Sequence, residues 1–111
     1  MKIIKHARPQ LEVAHGGSGG RKVLLKSVTT SQIEAMTDGY LPAGNIFDWH
    51  SHDGIDEMMY VLSGSGKVHD RDGEYDYAEG DLFLFPANVE HKITADDSED
   101  SRMIFLRYTQ N

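Results

Sequence analysis

Turn signals punctuate this chain too often for a helix of useful length to form. Asp38-Gly39, Leu41-Pro42-Ala43-Gly44, Asp53-Gly54, Arg71-Asp72-Gly73 and Gly80 break it into short segments. An isolated helix needs about 12–15 residues even to be marginal. Between the breaks lie runs of strand composition, such as Val23-Leu24-Leu25, Met58 to Leu62, Leu82 to Phe85 and Met103 to Leu106. Ser31 to Glu34 has the spacing of a helix capping box, yet Asp38-Gly39 arrives before two turns can complete. A strand from Ile33 to Thr37 is expected there instead. Arg21 to Lys26 reads as a strand, with weaker candidates at Lys2 to Lys5 and Leu11 to Val13. Gly66 to Asp70 and Glu74 to Tyr77 flank Arg71-Asp72-Gly73, where Asp-Gly suits a type I′ hairpin turn. On these strands Tyr75 and Tyr77 share a face. Arg102 to Tyr108 closes the pattern with Met103 and Phe105 on one face. Ten or eleven short strands in 111 residues predict one all-β domain, a sandwich or a barrel.

Composition narrows the classes of function. No cysteine is present, so disulfides and thiolate metal sites are excluded. The formal charge of −7 argues against nucleic acid or an anionic membrane as the main partner. Met1 to Arg8 carries no apolar stretch of signal-peptide length, and no segment is apolar enough to span a bilayer, so a cytoplasmic location is expected. Gly16-Gly17-Ser18-Gly19-Gly20 reads as a loop beside the sheets. A phosphate-cradling role for it lacks the helix that should follow. Asp96 to Asp100 is a loop by composition.

The chemistry concentrates between Gly44 and Gly64. His50 and His52 are two apart, so on one strand they project from the same face. Glu57 follows past the Asp53-Gly54 turn and opens the run Met58 to Leu62. A carboxylate so close to a buried strand is poorly placed unless something pairs with it. Folded back as a hairpin, the two strands bring two imidazoles and a carboxylate to one point. That set binds a divalent first-row metal and can leave positions open. The competing reading of His-x-His is a solvated strand edge. A fourth candidate, His91, lies five residues beyond the Gly80 to Pro86 segment, which reads as turn, strand and stop. His6 and His69 read as surface residues.

In these residues the chain resembles a small cupin. The family's first motif is Gly, five residues, His-x-His, three or four residues, Glu, six residues, Gly. Gly44, His50, His52, Glu57 and Gly64 match it across 44–64. The second is Gly, five residues, Pro-x-Gly, two residues, His, three residues, Asn; Gly80, Pro86 and His91 match it across 80–95. Asn88 stands where the family has Gly, and Ala95 where it has Asn. Asn tolerates positive φ next best after Gly, so the turn at Asn88 is expected to survive.

The resemblance implies a small jelly-roll β-barrel, a double-stranded β-helix, spanning 1–111 as a single domain. Inside it His50, His52, Glu57 and His91 would hold one divalent ion, with iron, manganese, nickel, cobalt, copper and zinc all compatible. Three neutral imidazoles and one carboxylate leave such a centre near +1, and an octahedral shell keeps two positions for water, substrate or dioxygen. Period-two alternation puts Met59 and Val61 on the face of Glu57, and Ile46 and Asp48 on that of His50. Asp48 is then the nearest acceptor for a ligand imidazole, unless a bulge turns it out to solvent. Trp49, Tyr60 and Leu62 face the other way and need a cover, either the second sheet or a second subunit. The family implies a homodimer. Three functions remain open: a metalloenzyme of dioxygenase, decarboxylase, lyase or isomerase type on a small organic substrate; a metal-dependent protein that binds a small effector without turnover; and a metal-free sugar epimerase or isomerase.

Overall fold

Alternation of buried and exposed side chains, more than intrinsic propensity, fixes the strands. The computed structural model describes residues 1, 3–5, 12–13, 19–26 and 32–109. Ten strands run through the described residues: β1 Glu12–Val13, β2 Gly20–Lys26, β3 Ile33–Leu41, β4 Ile46–His50, β5 Asp56–Ser63, β6 Gly66–Asp70, β7 Gly73–Tyr77, β8 Leu82–Phe85, β9 His91–Ala95 and β10 Ser101–Tyr108. None of the described residues is helical. A six-stranded sheet in the order β1-β2-β3-β10-β5-β8 packs on a four-stranded sheet in the order β4-β9-β6-β7, and all pairings are antiparallel. This is a small jelly-roll barrel.

Several expectations shift at this level. Ile3 to Lys5 lie in no strand, and Lys2, His6, Leu11, His15 and Gly16 to Ser18 fall outside the described residues. Gly20 belongs to β2 and not to a loop. β3 runs on through Asp38-Gly39 to Leu41 because its partner β10 stays in register with it from Ser101↔Leu41 to Arg107↔Ala35. The β6–β7 turn is a two-residue loop, Arg71-Asp72, closed by the Asp70↔Gly73 pair. None of Arg71, Asp72 and Gly73 has positive φ, which rules out type I′. Instead the Asp70 carboxylate accepts the amides of Asp72 and Gly73, each at 2.9 Å, and the side chain shapes the turn.

The largest correction concerns the first motif. β4 and β5 do not form a hairpin. β4 pairs with β9 in the smaller sheet, whereas β5 pairs with β10 and β8 in the larger one. The 51–55 turn therefore crosses the barrel from one sheet to the other.

The core lies between the sheets. Leu41, Met59, Val61, Phe85 and Met103 come from the larger sheet; Phe47, Val68, Tyr77, Ile93 and Ala95 come from the smaller. Met59, Val61 and Met103 are fully inaccessible, each burying a side chain worth about 1.5–3 kcal/mol. Tyr77 and Ser101 keep their hydroxyls bonded to each other at 2.7 Å, so neither costs an unsatisfied group. Gly64, at φ +92°, has Ser101 Cα only 2.6 Å from where a Cβ would stand. Both conformation and space demand glycine there, which explains its place in the motif.

Candidate metal centre

Two of the site's side chains occupy ordinary core positions. Glu57 is the first inward residue of β5, ahead of Met59 and Val61, and His91 is the first of β9, ahead of Ile93 and Ala95. At 6% and 2% exposure both belong to the buried interior. His50 ends β4 directly opposite His91. His52 lies beyond the strand, so its alignment with His50 comes from the loop and not from strand periodicity.

The 51–55 turn and the first residue of β5 are held by the second motif. The Asn88 amide donates to His52 O at 3.0 Å, the Gly54 amide donates to Asn88 Oδ1 at 3.2 Å, and the Ala87 amide donates to Asp56 Oδ1 at 2.7 Å. Asn88 adopts φ +67°, the one non-glycine among the described residues with positive φ. The expected left-handed turn is therefore present with Asn in place of Gly. Asp56 and Asn88 as the residues that position His52 were not visible in the sequence.

The ring orientations follow from main-chain acceptors. His50 Nδ1 lies 2.6 Å from Asp48 O, and His91 Nδ1 lies 3.2 Å from Val89 O, which leaves each Nε2 for the interior. The His91 ring stacks on Phe85, with centroids 4.1 Å apart and planes at 8°. One donor atom from each of His50, His52, Glu57 and His91 lies within 4.8 Å of the others. Glu57 Oε1 stands 3.4 Å from both His52 Nε2 and His91 Nε2. These three atoms are buried and make no hydrogen bond. Two donors sharing one ion at about 2.1 Å stand about 3.0–3.4 Å apart, so the spacing suits coordination better than hydrogen bonding. Burial would push the Glu57 carboxyl up, but the His52 and His91 imidazoles more than offset it and hold its pKa at about 2. The carboxylate is thus ready to accept a cation, and three His with one Glu form a nitrogen and oxygen set compatible with a metal ion.

Other expected site residues sit differently. Met59 and Val61 lie behind Glu57 on its face, in the core. A bulge in β4 breaks the expected parity: Phe47↔Ile93 is followed by His50↔His91, three steps against two. Phe47, not Ile46 or Asp48, therefore shares the inward side with His50. The Asp48 side chain is exposed and accepts its neighbour's amide, Trp49 N, at 2.8 Å; it serves His50 only through its main-chain carbonyl. Trp49 is covered by Arg71, whose Cζ lies 3.7 Å from the ring centroid, while Tyr60 stays 45% exposed. His69 stands apart from the cluster and is half-buried, not superficial, with Nε2 3.0 Å from Thr94 Oγ1.

A cavity of about 40 Å³ opens beside the cluster, reached by His50 and Glu57 and lined further by Arg21, Thr37, Gly39 and Arg107. Phe47, Ile93 and Phe105 form its apolar wall. A second cavity, of about 290 Å³, lies on the far side of His91, against Val68, Tyr75, Phe83, Phe85 and Val89. Asp48, Met59 and Val61, expected on a cavity wall from period-two alternation, line neither cavity. Arg107 was within reach, since extending the Met103 and Phe105 face by two positions arrives at it.

The motif spacing, the barrel and the converged cluster agree with the family comparison, in which the cupin domain matches residues 39–107. The chain belongs to the cupin family. An uncharacterized protein of Methanocaldococcus jannaschii is 25% identical over 95 residues, covering 84% of this chain and 76% of its own length. Among solved structures, a predicted oxalate decarboxylase from Thermotoga maritima superposes with a TM-score of 0.85 at 19% identity, covering 97% of this cupin and 99% of that protein. The polyketide cyclase RemF from Streptomyces resistomycificus superposes with a TM-score of 0.80 at 16% identity, covering 99% and 80%. At these identities the two structures establish the shared fold. No helix among the described residues is long and apolar enough to cross a membrane.

Proposed function

We infer that this cupin is a mononuclear metalloenzyme acting on a small organic substrate of carboxylate, enolate or diketone type, by dioxygenase, decarboxylase or lyase chemistry. The observation that carries the reading is the trio of buried atoms without hydrogen bonds, Glu57 Oε1, His52 Nε2 and His91 Nε2. Left alone, each such group costs about 1–3 kcal/mol; a single divalent cation satisfies all three and His50 besides. A bound ion would supply a Lewis-acid centre for negative charge developing on a substrate oxygen. The chain's own part is to fix the donors. Asp48 O and Val89 O set two imidazole tautomers, Asn88 sets the loop of His52, and Phe85 holds the plane of His91. The name of one structural relative, a predicted oxalate decarboxylase, points to the same substrate class.

The outer face of the larger sheet supports a homodimer as part of this reading. Tyr60, Leu82 and Leu84 are 45%, 57% and 63% exposed there, on adjacent strands β5 and β8.

Metal analysis of untagged protein tests the reading. About one ion per chain is expected, lost in His50→Ala and His91→Ala and kept in His69→Ala. Wild-type protein that stays empty after loading with iron, manganese, cobalt, nickel, copper and zinc in turn refutes it. Loaded protein is then screened for oxygen consumption and carbon dioxide release with small acids and diketones. Tight binding of an acid without turnover by any loaded form would replace the enzyme with a binding protein.

A further inference from the structure

We propose that the cavity beside the cluster is a carboxylate subsite in which Arg21 and Arg107 hold the anionic end of the substrate. The inference rests on the metalloenzyme reading and narrows its substrate to a carboxylate of a few heavy atoms. Arg107 lies in the inward file of β10 after Met103 and Phe105, with Glu57 of β5 and Ala35 of β3 as its cross-strand partners. A guanidinium in an inward file is costly to bury unless something offsets its charge. Glu34 Oε2 stands 2.9 Å from its Nε, an ion pair that offsets the charge of the guanidinium where it lines the cavity. Arg21, on β2, pairs across the sheet with Gly39. A Cβ at Gly39 would stand 2.6 Å from the Phe105 ring, so glycine makes room for the ring that walls the cavity beside Arg21.

The cavity is thus lined by two cations, Arg21 and Arg107, by the apolar side chains of Phe47, Ile93 and Phe105, and by His50 and Glu57 of the cluster. At about 40 Å³ it holds roughly three or four water positions, room for a carboxylate and one or two further carbons. Arg recognises a carboxylate through two parallel hydrogen bonds that no neutral group of that size can match. The larger cavity offers no such chemistry. Its lining contains neither Arg nor Lys and includes Asp70 and Glu90, so an anion is directed to the smaller one.

Malonate and its neutral isostere malonamide are the probes, titrated calorimetrically into metal-loaded wild type, Arg21→Gln, Arg107→Gln and the two Lys variants, with metal content measured after each run. Malonate should bind wild type at least about tenfold more tightly than malonamide. Each Gln variant should lose about tenfold or more in malonate affinity with its metal content unchanged, and each Lys variant should recover part of it. Gln variants that bind malonate like wild type, equal binding of the two probes, or loaded wild type that binds no malonate would each overturn the subsite. Because Arg107→Gln also removes the partner of Glu34, its melting temperature is recorded. If it does not fold, Arg21→Gln decides. A protein that takes up no metal defeats the metalloenzyme reading instead, and the subsite is then judged by malonate against malonamide on the metal-free chain.

Discussion

Replacing Asn88 by Ala and by Gly measures how much the left-handed turn contributes to holding the two motifs together. Asn88 sits at φ +67°, with Oδ1 accepting from Gly54 N at 3.2 Å. Ala loses that bond, worth about 1 kcal/mol for a typical net hydrogen bond. It also enters a region that costs an L-residue roughly 1–2 kcal/mol. The sum is about 2–3 kcal/mol, which for a chain of this size lowers Tm by about 8–12 °C. Gly loses the same bond but meets no steric cost at positive φ; its extra freedom when unfolded costs about 0.4–1 kcal/mol. The expected order is therefore Asn above Gly above Ala, the reverse of the usual gain on replacing Gly by Ala. Both variants keep the amide that donates to His52 O, so His52 should be displaced only where the turn itself opens. Urea and thermal unfolding of the three proteins, metal-free, is the assay. An Ala variant as stable as the Gly variant would show that the turn is not strained, and a Gly variant as stable as wild type would show that the Asn88 side chain does not hold the loop.

The remaining predictions concern the site and the outer face. In metal-free protein Glu57 titrates near 2 when folded against 4.5 in its unperturbed state, so its stabilisation is full above about pH 4.5 and falls away as pH drops toward 2. The loss is up to about 3 kcal/mol; urea midpoints across that range should fall in wild type and flatten in Glu57→Gln, and identical slopes in the two would contradict the assignment. Asp48→Ala should leave metal affinity within about twofold, because His50 uses the main-chain carbonyl of residue 48; a tenfold loss by competition titration would put the carboxylate back in the site. Leu84→Lys should convert a dimer to a monomer by light scattering without lowering metal content, and an unchanged mass would remove that face from any interface.

The residues of the candidate metal centre were legible because their spacing is dictated by chain geometry. Gly44, Gly64 and Gly80 all adopt positive φ, as does Asn88, so the motif's fixed points mark places where the backbone favours glycine, with asparagine the next best fit. The all-β fold was legible for a similar reason, since its turns are written in Asp, Gly and Pro. What could not be read is which strand each strand meets. Asp53-Gly54 favours a tight turn equally whether the chain returns in the same sheet or crosses to the other. Only the β4–β9 and β5–β10 registers decide, and they depend on residues about forty positions away. Parity failed at the same place. The bulge between Phe47 and His50 inserts one extra residue, and period-two reasoning carried past it puts Ile46 and Asp48 where Phe47 belongs.

That bulge also explains how a strand end can serve a buried site. Without it, Phe47 and His50 would point to opposite faces, and the core would lose either its aromatic wall or an imidazole. With it, Phe47 packs edge-on to Phe105 at 6.3 Å on the inner side while His50 turns in beside His91, with ring centroids 4.2 Å apart. The same distortion aims Asp48 O at His50 Nδ1, so the backbone that breaks the ladder supplies the acceptor that orients the ring. The cost is the set of ladder bonds forgone at Asp48 and Trp49, and part of it is returned locally. Asp48 Oδ1 takes the Trp49 amide, and Arg71 and Lys92 cover the Trp49 ring on the outer face. The outward residues of β4 are thus accounted for by the bulge itself, which leaves its inward residues to the site.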